Sequence, residues 1–456
     1  MEKKRVIFYL VDGARPDVLN KLIAKGLLPN IKKYLVDEGS YTKGTTCFPS
    51  TTGPAYLPFL CGSQPGDHHI TGIRWFDKQE FFKGRWGRNA MRSYCGYEAG
   101  YFNDDMNPEY PSLFEEYPGG LNIYNMITKG VEDKNDLTKV GKSKLYTRAH
   151  FRKIHHPVDE LGHQRLMEGI EQDFQFIFAV FPSVDWDSHY HHYDHPETEK
   201  AYQIADRSIG EVVDRLKAKG IYEETMIVMA SDHGLTSTKV HFDVASFFKK
   251  EGYRTLAYPA VWTIMPQVAV FISGNSYASV SFLDMKEDYT YGPLIEKHGE
   301  SIKKFISNPA VDFILVRKNE NDVMIINKNG EALIKISDGM MGYKSISANP
   351  LQIDDIDCKL NDEEAFDYCY DTNYPDALYQ VKQLFSSHRA GDVVVSANVG
   401  YDLRDFWEIP EHLGSHGSLH KDHLYVPLLL NKPGLLPKPV RTTEIHRIIK
   451  EHLSPA

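Results

Sequence analysis

The sequence predicts a doubly wound α/β fold, in which a mostly parallel sheet carries helices on both faces and a smaller α+β region is inserted. Three observations predict it. Apolar runs of strand length are repeatedly followed by stretches of helical periodicity. Between about residues 258 and 331 that alternation gives way to shorter runs bounded by turn residues. Asp12, Asp185 and Asp232 each stand at or just beyond the end of an apolar run, where open α/β sheets collect their ligands.

The elements follow in chain order. Apolar run 6–11 precedes an amphipathic stretch over 15–25. Run 174–181 precedes a second helix over about 197–219, with Ile204, Ile209, Val212, Val213 and Leu216 near helical spacing. Run 225–230 precedes a third helix over about 243–250. Such alternation implies a parallel sheet covered on both sides. In the insertion, 268–272, 278–282, 313–316 and 323–326 read as short strands, with Asn329-Gly330 as a turn. Residues 337–372 carry many acids and little periodicity, and are expected to form a long loop or linker. Runs 393–395 and 426–430 read as strands returning to the core. There is no internal repeat or low-complexity tract.

Composition narrows the function classes. The 456 residues are 42% hydrophobic and 25% charged, a soluble globular balance; length alone would allow about three domains. A net charge of -10 argues against a broad basic surface, so neither a stable nucleic-acid partner nor a membrane partner is expected. Run 6–11 is too short to span a bilayer and lacks a cleavage site, which makes it a core strand rather than a signal. Five cysteines, at 47, 61, 95, 358 and 369, are odd in number and irregularly spaced. They indicate neither a disulfide framework nor a zinc ribbon, and a cytoplasmic localisation is expected.

The chemistry centres on Phe48-Pro49-Ser50-Thr51-Thr52-Gly53-Pro54. A threonine hydroxyl stays protonated at neutral pH and needs a base or a metal ion before it attacks. Ligand-type residues cluster elsewhere: Asp12, Asp232-His233-Gly234, the stretch Asp185-Trp186-Asp187-Ser188-His189, and Gly414-Ser415-His416-Gly417. Each has a structural alternative, because an Asp after a strand often caps a helix or forms a turn. Asp185/His189 and Asp187/His191 share a four-residue spacing that aims both side chains at one ion. His420 and His423 stand close behind His416. Convergence of three strand ends on one crevice carries the functional reading.

These residues resemble the alkaline phosphatase superfamily, within it the type I phosphodiesterase/nucleotide pyrophosphatase branch. The matching positions are Val11-Asp12-Gly13, the Phe48–Pro54 segment, Cys61-Gly62, Pro65 with His68 and Ile70, Asp185 with His189 and Pro196-Glu197, Ser231-Asp232-His233-Gly234, and Gly414-Ser415-His416-Gly417-Ser418. They cover roughly residues 5–75, 170–245 and 390–450. The spacing from Phe48 to Gly62 then puts the family's nucleophile on Thr52, with Thr51 as runner-up. The register of the second motif favours Asp185/His189 over Asp187/His191, and the last favours His416 over His420.

The resemblance implies an alkaline-phosphatase-like fold and two divalent metal ions, zinc or alternatively manganese. Asp185, His189 and His416 would form one metal site; Asp12, Asp232 and His233 would form the other, which also binds the Thr52 oxygen. Two ions about 3.5–4 Å apart hold the attacking and leaving oxygens of an in-line displacement. The implied activity is hydrolysis of small-molecule phosphate esters, chiefly phosphodiesters, through a phosphothreonine. A phosphomonoesterase, phosphonate hydrolase or phosphomutase on the same scaffold is the alternative. An inactive metal-binding module would have lost a ligand or the nucleophile, and none is missing.

Departures bear on substrate. Nucleotide-cleaving members resemble T-F-P-N-H, whereas this chain has Thr52-Gly53-Pro54-Ala55-Tyr56, so Ala55 cannot supply the asparagine's hydrogen bond to a phosphoryl oxygen. A helix is expected over 52–60. The aromatic and basic stretch Arg74-Trp75-Phe76-Asp77, Arg85-Trp86-Gly87-Arg88, Tyr94, Tyr97 and Tyr101 reads as a substrate wall or as a packed lid. His155, His156 and His163 are spare histidines once both sites are filled. The expected division is a metal-binding catalytic core over 1–250 and 385–456, with 251–384 an inserted α+β cap or accessory region.

Overall fold

The computed structural model describes residues 3–84, 89–258, 263–404, 408 and 411–454. Its central sheet has six strands, in the order Ser40–Thr45, Tyr425–Leu430, Thr225–Ala230, Arg5–Val11, Phe176–Phe181 and Leu121–Ile123. Arg5–Val11 runs parallel to Phe176–Phe181 and Thr225–Ala230, and Leu121–Ile123 joins in the same sense. Tyr425–Leu430 is antiparallel to both of its neighbours. Val6 to Val11 are fully buried, as an unbroken apolar strand covered on both faces should be. Phe8 and Tyr9 mark the two faces. Phe8 packs edge-on against Phe59 of helix Leu57–Cys61, and Tyr9 shares a hydrogen bond with Ser208 of helix Pro196–Ala218.

Register sets where the chemistry sits. Val11 pairs with Phe181 and Leu10 with Ala230, so three chain segments leave the sheet side by side at the carboxyl ends of their strands. The helices begin where their first residues dictate. Proline opens Pro16–Ala24 and Pro196–Ala218, and the Asp243 carboxylate accepts the Ser246 N–H to cap Val244–Lys250.

The helix expected over 52–60 is shorter and broken. Thr52 precedes it, Pro54–Tyr56 forms a 3-10 turn, and Leu57–Cys61 is the only α-helical part. Gly53 has φ +90°, outside the helical region, and Pro58 has no N–H to continue the ladder.

A second sheet has nine strands: Thr255–Ala257, Val268–Ser273, Tyr277–Phe282, Val393–Ala397, Val311–Arg317, Val323–Asn327, Gly330–Ser337, Met340–Ser345 and Ile356–Leu360, in that order. Two expectations change here. Residues 337–372 do not form a long loop, since they hold two of these strands and helix Asp362–Cys369, capped reciprocally by Asn361 and Glu364. Ile356–Leu360 lies at the sheet edge, where exposed Asp357 and Lys359 alternate with half-buried residues and hide the strand among charges. The run 393–395 does not return to the central sheet. Val393–Ala397 pairs between Tyr277–Phe282 and Val311–Arg317, so the second sheet takes in residues beyond 384. Buried Asp392 ties it there by accepting N–H bonds from Phe282 and Tyr289 and an ion pair from Lys78.

Candidate functional site

Asp12 follows the first strand directly. At Gly13, with φ +71°, a Cβ would come within 2.9 Å of the Asp185 backbone, so only glycine lets these two carboxylates approach. Asp185 and His189 lie one turn apart on helix Ser183–His191, with Asp185 Oδ1 3.3 Å from His189 Nε2. After strand Thr225–Ala230, His233 Nε2 stands 3.4 Å from Asp12 Oδ1 and 3.4 Å from Asp232 Oδ2. Asp232 also accepts the Gly13 N–H. His416 follows Gly414–Ser415, which pairs with Thr236–Ser237, and its ring stacks on His233 with centroids 3.6 Å apart. The expected ligands Asp12, Asp185, His189, Asp232, His233 and His416 are thus brought together. By distance five of them form two groups, Asp185/His189/His416 and Asp12/Asp185/His233, which share Asp185; Asp232, expected in the second set, falls in neither group and meets His233 at 3.4 Å.

Hydrogen bonds orient all three imidazoles alike. His189 Nδ1 faces the Gly414 carbonyl at 2.7 Å, His233 Nδ1 the Gly234 carbonyl at 3.0 Å, and His416 Nδ1 the Ser50 carbonyl at 2.9 Å. Carbonyls only accept, so each Nδ1 carries a proton and each Nε2 is the ring atom turned to the cluster. They face carboxylate oxygens at 3.3 and 3.4 Å, and a neutral ring there sets its lone pair against negative charge unless a cation lies between. Asp185 Oδ1 and Asp232 Oδ2 are buried and have no hydrogen-bond partner among the described residues. Nitrogen and carboxylate donors at this spacing fit divalent metal ions.

The electrostatics express the same crowding. Burial, then the charges of Asp232 and Asp185, pushes the Asp12 carboxyl well above its usual range. Burial raises Asp232 also, with Asp185 adding and His233 opposing. At Asp185 burial acts upward too, but His189, His416 and His233 outweigh it and hold the carboxyl low. Burial and the neighbouring His233 keep His416 well below the ordinary histidine value.

Thr52 Oγ1 lies 3.1 Å from His233 Nε2 and 3.5 Å from Asp12 Oδ1, on a side chain that is partly exposed. Thr51 Oγ1 is buried without a partner among the described residues. The segment is strapped between the two sheets. The Phe48 N–H donates to Gln380 Oε1 and its carbonyl accepts from Gln383 Nε2, while the ring packs edge-on against Tyr277. At the other end the Tyr56 hydroxyl donates to Asp12 Oδ2 at 3.3 Å, a contact that no motif spacing signalled.

The other candidates are engaged elsewhere. Asp187 contacts His155 and His156 at 2.6 and 3.0 Å, His163 bridges Ser208 and Glu211, and His191 stacks on His195. His420 Nδ1 accepts the Asp422 N–H as the cap of Lys421–Leu424. Much of the aromatic and basic stretch is packed where it is described, although Tyr97 is exposed. Arg74 donates to Ser93 and the Ile272 carbonyl, Trp75 Nε1 donates to Tyr94, and Arg92 pairs with Asp105. Residues 85–88, Arg85-Trp86-Gly87-Arg88, lie outside the described residues. Ala55 is fully buried, and its N–H donates to the Thr51 carbonyl.

Comparisons with known proteins point the same way. The family model described as type I phosphodiesterase / nucleotide pyrophosphatase matches residues 6–419, running through the insertion that the motifs left uncovered. None of the curated protein sequences compared with this chain matches it. Among solved structures, phosphonoacetate hydrolase from Sinorhizobium meliloti 1021 in complex with phosphonoformate is similar, with a TM-score of 0.61 and 15% identity. That similarity covers 99% of this chain and 96% of the other. Inactive murine ectonucleotide pyrophosphatase / phosphodiesterase 5 in complex with AMP has a TM-score of 0.58 and 14% identity, over 99% of this chain and 95% of the other. At these identities the structural likeness speaks for the fold.

Proposed function

This chain belongs to the type I phosphodiesterase / nucleotide pyrophosphatase family, and from that premise we propose that it cleaves small phosphodiesters through a phosphothreonine formed on Thr52. Hydrolysis of phosphoesters on an alkaline phosphatase superfamily scaffold is the class the family supports. The observation that carries the finer reading is the Thr52 hydroxyl, partly exposed and within 3.5 Å of both His233 and Asp12.

Asp185, His189 and His416 would hold one divalent ion, and Asp12, Asp232 and His233 a second beside Thr52. Such ions supply Lewis acidity toward phosphoryl oxygens and lower the pKa of a nearby hydroxyl. The two-histidine, one-carboxylate set suits zinc, with manganese as the alternative for the oxygen-richer set. Carbonyls of Gly414, Gly234 and Ser50 fix the ring orientations in advance, so little reorganisation is needed at the moment of reaction. The Thr52 oxygen attacks phosphorus and the ester alcohol leaves with a proton. Water then cleaves the phosphothreonine, restoring the hydroxyl and releasing the phosphate product.

Ala55 favours a second reading, a phosphomonoesterase, phosphonate hydrolase or phosphomutase on this scaffold, because a buried methyl offers no donor to a nucleotide's phosphoryl oxygen. One experiment separates the readings. Purified protein, chelated and then refilled with zinc or manganese, is assayed against chromogenic phosphate mono- and diesters, phosphonates and sugar phosphates. Faster turnover of diesters, with phosphothreonine at Thr52 in acid-quenched protein, supports the proposal. No turnover of any phosphorus ester with either metal would sink it.

A further inference from the structure

Outside the cluster around Thr52, the described residues bring together one more group of ligand-type side chains, His241, Asp402 and Glu408. Its origin is a register. Val240–His241 pairs in parallel with Tyr401–Asp402, which sets His241 directly beside Asp402. Glu408 folds back onto them and is held by the His412 N–H, which donates to Glu408 Oε1 at 2.7 Å. Asp402 is oriented too, since Asn275 Nδ2 donates to its Oδ2 at 2.7 Å and the Arg404 N–H donates to its Oδ1.

We propose that His241, Asp402 and Glu408 bind one further divalent transition-metal ion, separate from the ions assigned to the Thr52 cluster. Donor atoms from the three residues lie within 4.8 Å of one another. His241 Nδ1 is 3.0 Å from Glu408 Oε1 and 3.9 Å from Asp402 Oδ1. Ligands about 2.0–2.2 Å from a shared ion stand roughly this far apart. The 3.0 Å contact nevertheless lacks hydrogen-bond alignment, and His241 Nδ1 has no hydrogen-bond partner among the described residues. Glu408 Oε2 is unpartnered as well, on a residue only 3% exposed. Two buried carboxylates beside one imidazole form a nitrogen-and-oxygen donor set with spare negative charge, which suits zinc or manganese and leaves positions for water. The ion would also brace the main cluster. Asn275, which holds Asp402, bridges through its backbone to His416, and His412 packs its ring against His189 at 4.5 Å.

The competing account is a protonated His241 neutralising the two carboxylates with no metal. Full-length wild type, His241→Ala and Glu408→Gln are chelated, refilled with zinc or with manganese, desalted and analysed for metal per chain. Each variant is expected to hold one equivalent less than wild type. Asp185→Asn is expected to lose metal independently, and the double variant Asp185→Asn/Glu408→Gln to lose both shares. Equal metal content in wild type, His241→Ala and Glu408→Gln overturns the proposal. Since a misfolded variant would also lose metal, zinc-edge anomalous scattering from wild-type crystals gives a second reading. A peak within bonding distance of His241, Asp402 and Glu408 supports the site, and peaks confined to the Thr52 cluster overturn it. Failure of the phosphodiesterase assay leaves both measurements standing.

Discussion

Thr52 Oγ1 stands 3.1 Å from His233 Nε2, whereas the hydroxyl of Thr51, one residue earlier, is buried without a partner among the described residues. Adjacent side chains in this segment therefore differ in chemical access. Thr52→Ala should lower kcat about a thousandfold or more while metal content stays at the wild-type level. Thr51→Ala should keep kcat within about tenfold. The opposite ranking in steady-state assays would move the nucleophile to Thr51.

Gly13 is where the turn after the first strand touches helix Ser183–His191. Alanine there would adopt φ +71° and put its Cβ 2.9 Å from the Asp185 backbone. The left-handed conformation costs about 1–2 kcal/mol and the overlap about 1–3 more. Gly13→Ala should show a lower urea midpoint and weaker metal retention after desalting. Wild-type values for both would mean that the two carboxylates do not depend on this approach.

Asp392 carries the attachment of Val393–Ala397 to the second sheet, and it is fully buried with Lys78. Asp392→Ala leaves the Phe282 and Tyr289 N–H groups without their acceptor and takes the carboxylate from the Lys78 ammonium, which keeps the Glu287 carbonyl. Breaking a buried pair from one side costs about 3–5 kcal/mol. Denaturant unfolding should register that loss. A change below about 1 kcal/mol would show the pair to be replaceable by water.

Asp312 offers a pH test far from the proposed ligands. Burial raises its pKa to about 6, against the opposing effect of the Tyr374 hydroxyl, which donates to it at 2.8 Å. Because the folded value lies above the unfolded one, its favourable contribution is complete below 3.8 and lost as pH rises through about 6. Asp312→Asn still accepts from Tyr374 and does not ionise. Relative to wild type, it should gain about 1–3 kcal/mol between about pH 4 and pH 8, read from urea midpoints. A difference that is flat with pH would assign Asp312 an ordinary pKa.

Much of the central sheet was legible because its signals are local. The apolar runs before Asp12, Asp185 and Asp232 are nearly unbroken, and a strand end followed by a carboxylate needs no partner to be recognised. The second sheet was harder. Ile356–Leu360 alternates apolar and charged residues as an edge strand does, yet among so many acids it read as a loop. Val393–Ala397 would suit either sheet by composition, and its ladders with Tyr277–Phe282 and Val311–Arg317, together with the bonds of Asp392, put it in the second.

By itself the sequence determined the strand–helix order, the strand-end carboxylates and the family motifs, because periodicity and short spacings are properties of neighbouring residues. Tertiary structure decided which hydroxyl faces His233, which sheet receives Val393–Ala397, and that His241 meets Asp402 and Glu408. Those outcomes depend on pairing register and packing between segments far apart in the chain, where no local pattern encodes the partner.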